Sequence, residues 1–241
     1  MAGFLILGMH RSGTSCLAGC LEAGGMRLGA VNTYAPFNRK GNREHEPIRD
    51  VHDEILSLHG RSWDNPPEQQ IPITCDHLRR LRQHVDAIDT SNHWGVKDPR
   101  SMFFANSWQQ NFDCNFIGTF RHPVDVAKSL ESRAARTGKT MNRENSLQLW
   151  KIYNTQLLEL HRANRFQLIR YGIDVKLYSD QIRDISRRLN LNPNEATEFY
   201  TQDLTHHSSV ETPVPKCCQD IWDNLTSAWE DFERQCNPRK T

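Results

Sequence analysis

The stretch Gly8-Met9-His10-Arg11-Ser12-Gly13-Thr14-Ser15 constrains this chain's fold more than any other. It follows the apolar run Phe4-Leu5-Ile6-Leu7 and precedes Cys16-Leu17-Ala18-Gly19-Cys20-Leu21, whose apolar positions suit a buried helix, so the order reads strand, turn, helix. At such a junction successive backbone N–H groups and a helix N-terminus converge on one point and form an anion site. The glycine spacing is that of a Walker A loop, G-x-x-x-x-G-K-[ST], yet Thr14 stands where that loop keeps its lysine. Arg11 is the nearest cation inside the loop, so any charge meeting a bound phosphate comes from a different point. A plain strand-to-helix connection gives a similar glycine-rich turn, and further elements have to decide between the two.

Downstream, Asn32 to Glu46 carries Pro36, Gly41 and many charges without periodicity, and reads as a loop. Ile48, Val51, Ile55 and Leu58 after Pro47 predict an amphipathic helix, and Leu78, Leu81, Val85 and Ile88 predict a second, capped by Asp76. His93 to Lys97 is strand-like, with Ser101 opening a helix after Asp98-Pro99. Cys114 to Phe120 is a second β-rich run, stopped by Arg121-His122-Pro123. A long helix from about Asn145 to Arg162, a strand from Phe166 to Tyr171, a helix from about Val175 to Leu191 and a short final helix around Ile221 to Phe232 complete the pattern, with Thr205 to Lys216 irregular. Alternating strands and helices predict an α/β fold with a central parallel β-sheet and helices on both faces.

A length of 241 residues with 37% hydrophobic content suits one domain covering residues 1–241. Thirty Lys+Arg against 29 Asp+Glu give a net charge of +1, which excludes a global basic field for nucleic acid or anionic membrane; positive charge has to act locally. No apolar run approaches the length of a membrane span or signal core, so a cytoplasmic protein without membrane insertion is expected. Seven cysteines without a C-x-x-C pair argue against a disulfide framework and a zinc ribbon, and no metal is expected.

The displaced cation makes the loop similar to the 5'-phosphosulfate loop of sulfotransferases that use 3'-phosphoadenosine 5'-phosphosulfate (PAPS), written as Lys or Arg, Ser-Gly-Thr, then Ser or Thr. The resemblance implies a P-loop NTPase-like sulfotransferase fold, PAPS as co-substrate, and donor binding by His10, Arg11, Ser12, Gly13, Thr14 and Ser15. A transferred sulfuryl group carries less charge than a phosphoryl group, so such chemistry has less need of magnesium. Arg121 and Ser129 resemble the Arg at a strand end and the Ser two helical turns later that grip the donor's 3'-phosphate in the family. Trp94-Gly95-Val96-Lys97-Asp98-Pro99-Arg100 looks like the lysine-aspartate-proline-arginine segment of a bacterial branch. The likeness runs from Phe4 to roughly Leu191; beyond that it hardly holds.

Members of that branch place a Gly-x-x-Glu segment where Gly41-Asn42-Arg43-Glu44 stands, which makes Glu44 the first choice of base, with His45 its rival because histidine titrates nearest neutrality. Arg11 and Lys97 are the cations expected at the sulfonate, Arg100 ties the loop after Pro99 to a carboxylate such as Asp98, and Tyr171 packs between sheet and helix. His206-His207 lack a spaced partner for a metal. The acceptor, a small molecule or glycan bearing a hydroxyl or amine, is read by the loops Asn32 to Glu46, Arg61 to Cys75 and Arg133 to Arg143. Trp63 and Trp94 either stack on a sugar ring or fill core. Two rival functions remain at this level: a small-molecule kinase with Asp98 on magnesium, and a non-catalytic nucleotide-binding module.

Overall fold

The computed structural model describes residues 2–35, 40–201 and 212–236. Within them, β1 (Gly3–Leu7), β2 (Trp94–Lys97), β3 (Cys114–Arg121) and β4 (Leu168–Tyr171) form one parallel sheet in the order β2-β1-β3-β4. The register sets Ile6 beside Lys97, Leu7 beside Gly118 and Arg121 beside Tyr171, so the carboxyl ends of all four strands form one edge. In open α/β sheets this is the edge outside which ligands bind.

The helices are α1 (Thr14–Ala23), α2 (Glu46–Leu58), α3 (Cys75–Asp86), α4 (Ala105–Phe112), α5 (Pro123–Arg136), α6 (Arg143–Asn164), α7 (Val175–Arg188), α8 (Pro193–Thr201) and α9 (Gln219–Cys236). Because side chains alternate along a strand, β1 feeds two cores. Leu5 and Leu7 join Ile55 of α2, Leu81 of α3, Trp108 of α4 and Leu157 of α6. Phe4 and Ile6 point the other way, into Leu17 and Leu21 of α1, Ile182 of α7 and Ala196 of α8. Burial on both faces explains why β1 is an unbroken apolar run. Cys16 and Cys20 are free thiols in the second core.

Several local expectations are corrected. Helix α3 opens at Cys75, and its cap is Thr74, whose hydroxyl accepts from the His77 N–H, so Asp76 already lies inside the first turn. Asp98 rather than Ser101 caps the turn after β2: its side chain accepts from the Arg100 N–H, and Pro99–Phe103 is a 3₁₀ helix before α4. Leu58 ends α2 exposed instead of extending its apolar face. Helix α6 starts at Arg143, capped by Asn142, β4 starts at Leu168, and Arg133 to Arg136 belong to α5 rather than to a loop. Helix α8 was not expected; Asn192 accepts from the N–H groups of Asn194 and Glu195 at its start. The pair His206-His207 lies outside the described residues. Among those described, no helix is long and apolar enough to cross a membrane, and no cluster of His, Cys, Asp and Glu is arranged to hold a metal.

Candidate functional site

The loop after β1 owes its shape to three unusual backbones. Gly8, Arg11 and Gly13 have φ of 151°, 67° and 88°, and Arg11 is the only one of them with a side chain to strain it. A Cβ on Gly13 would fall 2.3 Å from the Tyr171 ring, so Tyr171 closes over the glycine. Helix α1 begins with no side-chain cap, and its first backbone bond joins the Leu17 N–H to the Gly13 carbonyl. The N–H groups of Thr14, Ser15 and Cys16 lie ahead of that bond and project from the helix N-terminus. Replacement of Gly13 by alanine is expected to destabilise the fold by at least about 1–2 kcal/mol through the left-handed backbone alone, more through the contact with Tyr171. Urea denaturation measures it; an unchanged midpoint would contradict this account of the loop.

Strand β3 and helix α5 brace the loop from the side. Thr119 Oγ1 donates to the Ser12 carbonyl (3.1 Å), Arg121 Nη1 to the Arg11 carbonyl (3.3 Å), and Arg11 Nε to Ser129 Oγ (2.8 Å). Arg121 Nε is buried without a hydrogen-bond partner, its nearest carboxylate being Asp125 at 3.9 Å. Burial, then Arg133 and Arg121, lower the pKa of the Arg11 guanidinium. So much positive charge held out of water calls for an anion.

Lys97, at the end of β2, is buried and donates to Glu44 Oε1 at 2.7 Å. Burial lowers its pKa against the pull of Glu44. Beneath it a buried chain of bonds fixes the next turn. Asp98 Oδ1 accepts from the Arg100 N–H (3.1 Å) and guanidinium (2.9 Å), and its Oδ2 pairs with His52 Nδ1 at 2.7 Å. Trp108 Nε1, which can only donate, gives its proton to His52 Nε2 at 3.0 Å, so the proton between His52 and Asp98 sits on Nδ1. Burial would raise the Asp98 carboxyl, but Arg100 and His52 outweigh it and hold the group well below the usual carboxylate range. Arg100 therefore has the tying role expected of it.

Glu44 arrives on a strap fixed at several points. Arg43 pairs with Glu22 of α1, Ser15 Oγ donates to the Asn42 carbonyl (3.0 Å), and the Asn32 N–H donates to the Glu44 carbonyl (3.1 Å). Between strap, loop and β2 lies a cleft of about 340 Å³. Its walls include His10, Arg11, Glu44 and Lys97 from the expected set.

No family model and no curated protein sequence matches the chain. Among solved structures, the sulfotransferase domain of the Synechococcus olefin synthase superposes with a TM-score of 0.50 at 18% identity, over 97% of this chain and 94% of that one. The chain has the sulfotransferase fold. A sulfotransferase of Mycobacterium tuberculosis aligns with a TM-score of 0.47 at 13% identity, over 94% of this chain and 76% of that one.

Within the sulfotransferase fold the expected residues divide. Thr14 and Ser15 line the cleft with Arg11, while the Ser12 hydroxyl is buried without a partner. His45 caps α2 outside the cleft, its ring 5.7 Å from that of His84, and burial followed by His84 lowers its pKa. His10, in the cleft wall, is largely buried against Trp63 and Tyr153; burial and then Arg100 push its pKa well down, so it stands as a neutral imidazole. Arg49, Asp50 and Asp53 of α2 and Arg133 of α5 also line the cleft and were not foreseen. For Arg133 a signal existed: it lies four residues after Ser129, on the same helix face.

Proposed function

We propose that the chain is a sulfotransferase that moves the sulfuryl group of PAPS to a hydroxyl or amine of a small molecule or glycan. One observation carries the reading: an uncapped helix N-terminus lacking the Walker lysine is ringed by Arg11, Arg121 and Arg133, with Arg121 Nε buried, making no hydrogen bond and 3.9 Å from Asp125. A nucleotide whose ribose carries anionic groups on both its 3' and 5' oxygens fits that arrangement. The N–H groups of Thr14 to Cys16 would hold the 5'-phosphate. Arg121 would take the 3'-phosphate together with Ser129, whose hydroxyl receives a bond from Arg11 and keeps its own proton to give.

In the transfer, the acceptor oxygen or nitrogen forms a bond to sulfur as the bond from sulfur to the bridging phosphate oxygen breaks, and adenosine 3',5'-bisphosphate leaves. Glu44 takes the acceptor proton. Arg11 and Lys97 meet the sulfonate charge, and the Lys97–Glu44 contact of 2.7 Å keeps base and cation beside one atom. The kinase reading loses its metal ligand, since both oxygens of Asp98 are engaged by Arg100 and His52.

A thermal-shift panel tests this. Adenosine 3',5'-bisphosphate without magnesium is expected to raise Tm, and ATP with magnesium is not; the reverse would favour a kinase, and no shift from either a non-catalytic module. Arg121→Ala should weaken adenosine bisphosphate by about 1.5–3 kcal/mol in calorimetry, while binding of adenosine 5'-monophosphate changes little. Equal losses would remove Arg121 from the 3'-phosphate.

A further inference from the structure

Resting on the sulfotransferase reading, we infer that the acceptor is a polyhydroxylated, saccharide-like molecule whose ring lies against Trp63 while a hydroxyl faces Glu44. The side chains lining the cleft are overwhelmingly charged or polar, and Trp63 and Pro99 are its apolar members. A phenol, sterol or alkyl alcohol has a single hydroxyl, committed to Glu44, and would strip water from Arg49, Asp50 and Asp53 without returning hydrogen bonds to them, whereas apolar ligands are ordinarily met by apolar walls. Arg49 and Asp50 already pair at 2.7 Å, and sugar hydroxyls, which both donate and accept, can bridge that pair and the Asp53 carboxylate without breaking it. Asp53 Oδ1 accepts from Arg100 Nε, and among the described residues its Oδ2 carries no bond.

Trp63 is prepared for such a ligand. The turn that bears it is closed by reciprocal backbone bonds between Ser62 and Asn65, both 3.2 Å, and the Trp63 carbonyl accepts from Tyr153 Oη at 2.9 Å. Its ring, half-buried, leans on His10 with centroids 4.9 Å apart. On a fixed turn and packed against His10, the indole offers a flat surface to the apolar C–H face of a sugar. A different role is also open to it: the Arg133 guanidinium lies 5.9 Å from the ring centroid, and a tryptophan that serves to hold Arg133 would act on the donor instead.

The two roles part in an assay with radiolabelled PAPS and a panel of maltose, cellobiose, glucosamine, dodecyl maltoside, 2-naphthol and decanol, run beside calorimetry with adenosine 3',5'-bisphosphate. Sulfation of saccharides ahead of naphthol and decanol is expected; dodecyl maltoside against maltose tells a lipid-borne saccharide from a free one. Trp63→Ala should raise the saccharide KM on the order of 10-fold, with Trp63→Phe between it and wild type, and leave adenosine bisphosphate affinity unchanged. Preference for naphthol or decanol, no sulfation of any saccharide by protein that binds the bisphosphate, or a Trp63→Ala loss confined to the nucleotide each overturns the inference while the sulfotransferase reading stands. Failure to bind the bisphosphate at all sinks that reading itself.

Discussion

Glu44→Gln is expected to lower kcat on the order of 10²-fold or more while affinity for adenosine 3',5'-bisphosphate stays near wild type. Glutamine keeps a carbonyl oxygen that accepts from Lys97 Nζ, so the strap keeps its bond, although buried Lys97 loses its counter-charge along with the basicity of the carboxylate. His45→Ala is the matched control. Its imidazole sits beside His84 outside the cleft, and its loss should leave kcat within a few-fold of wild type. If the glutamine variant retains its rate and the alanine variant loses it, the base is His45; if both retain it, the strap does not carry the base.

Asp98→Asn should cost about 3–5 kcal/mol of stability, the penalty for leaving a buried charge without its partner. Arg100 would keep Asp53 alone, and an amide in place of Oδ2 would set an N–H against the His52 Nδ1 proton unless it turned over. Urea denaturation gives the number, and a loss under about 1 kcal/mol would show that the network is not holding this corner of the fold. The carboxyl is depressed in the folded state, so its contribution is complete above the unfolded value near about 3.9 and is lost only as pH falls below it toward strong acid. Wild type should therefore lose stability on acidification that the asparagine variant no longer has to lose.

What could be read in the sequence was whatever depends on short, fixed spacings. The loop from Gly8 to Ser15 and the block from Lys97 to Arg100 each lie within a few residues of one strand end, and the parallel sheet follows from strands buried on both faces. Contacts between segments far apart in the chain left no such trace. Nothing local says that His10 is neutral, because the residues that bury it, Trp63 and Tyr153, and the nearby Arg100 come from other elements. Thr74 and Asp76 both offer a capping oxygen, and the apolar pattern from Leu78 favours Asp76, whereas the helix begins at Cys75 with Thr74 as its cap, two residues earlier. Helix α8 lacks a long apolar repeat and announces itself only through Asn192-Pro193 and Glu195.

The bonds that tie the loop after β1 to β3 and α5 span 107, 110 and 118 residues of chain. Everything between Ser15 and Thr119, including the strap with Glu44, the turn with Trp63 and the end of β2 with Lys97, is a long excursion returning to a junction already clamped shut. Loops within that excursion can lengthen, shorten or change composition while the clamp keeps its shape. The fold thus keeps the clamp, Glu44 and Lys97 together as the part the transfer needs, while the loops between them, such as the turn with Trp63, can change acceptor specificity without retuning it.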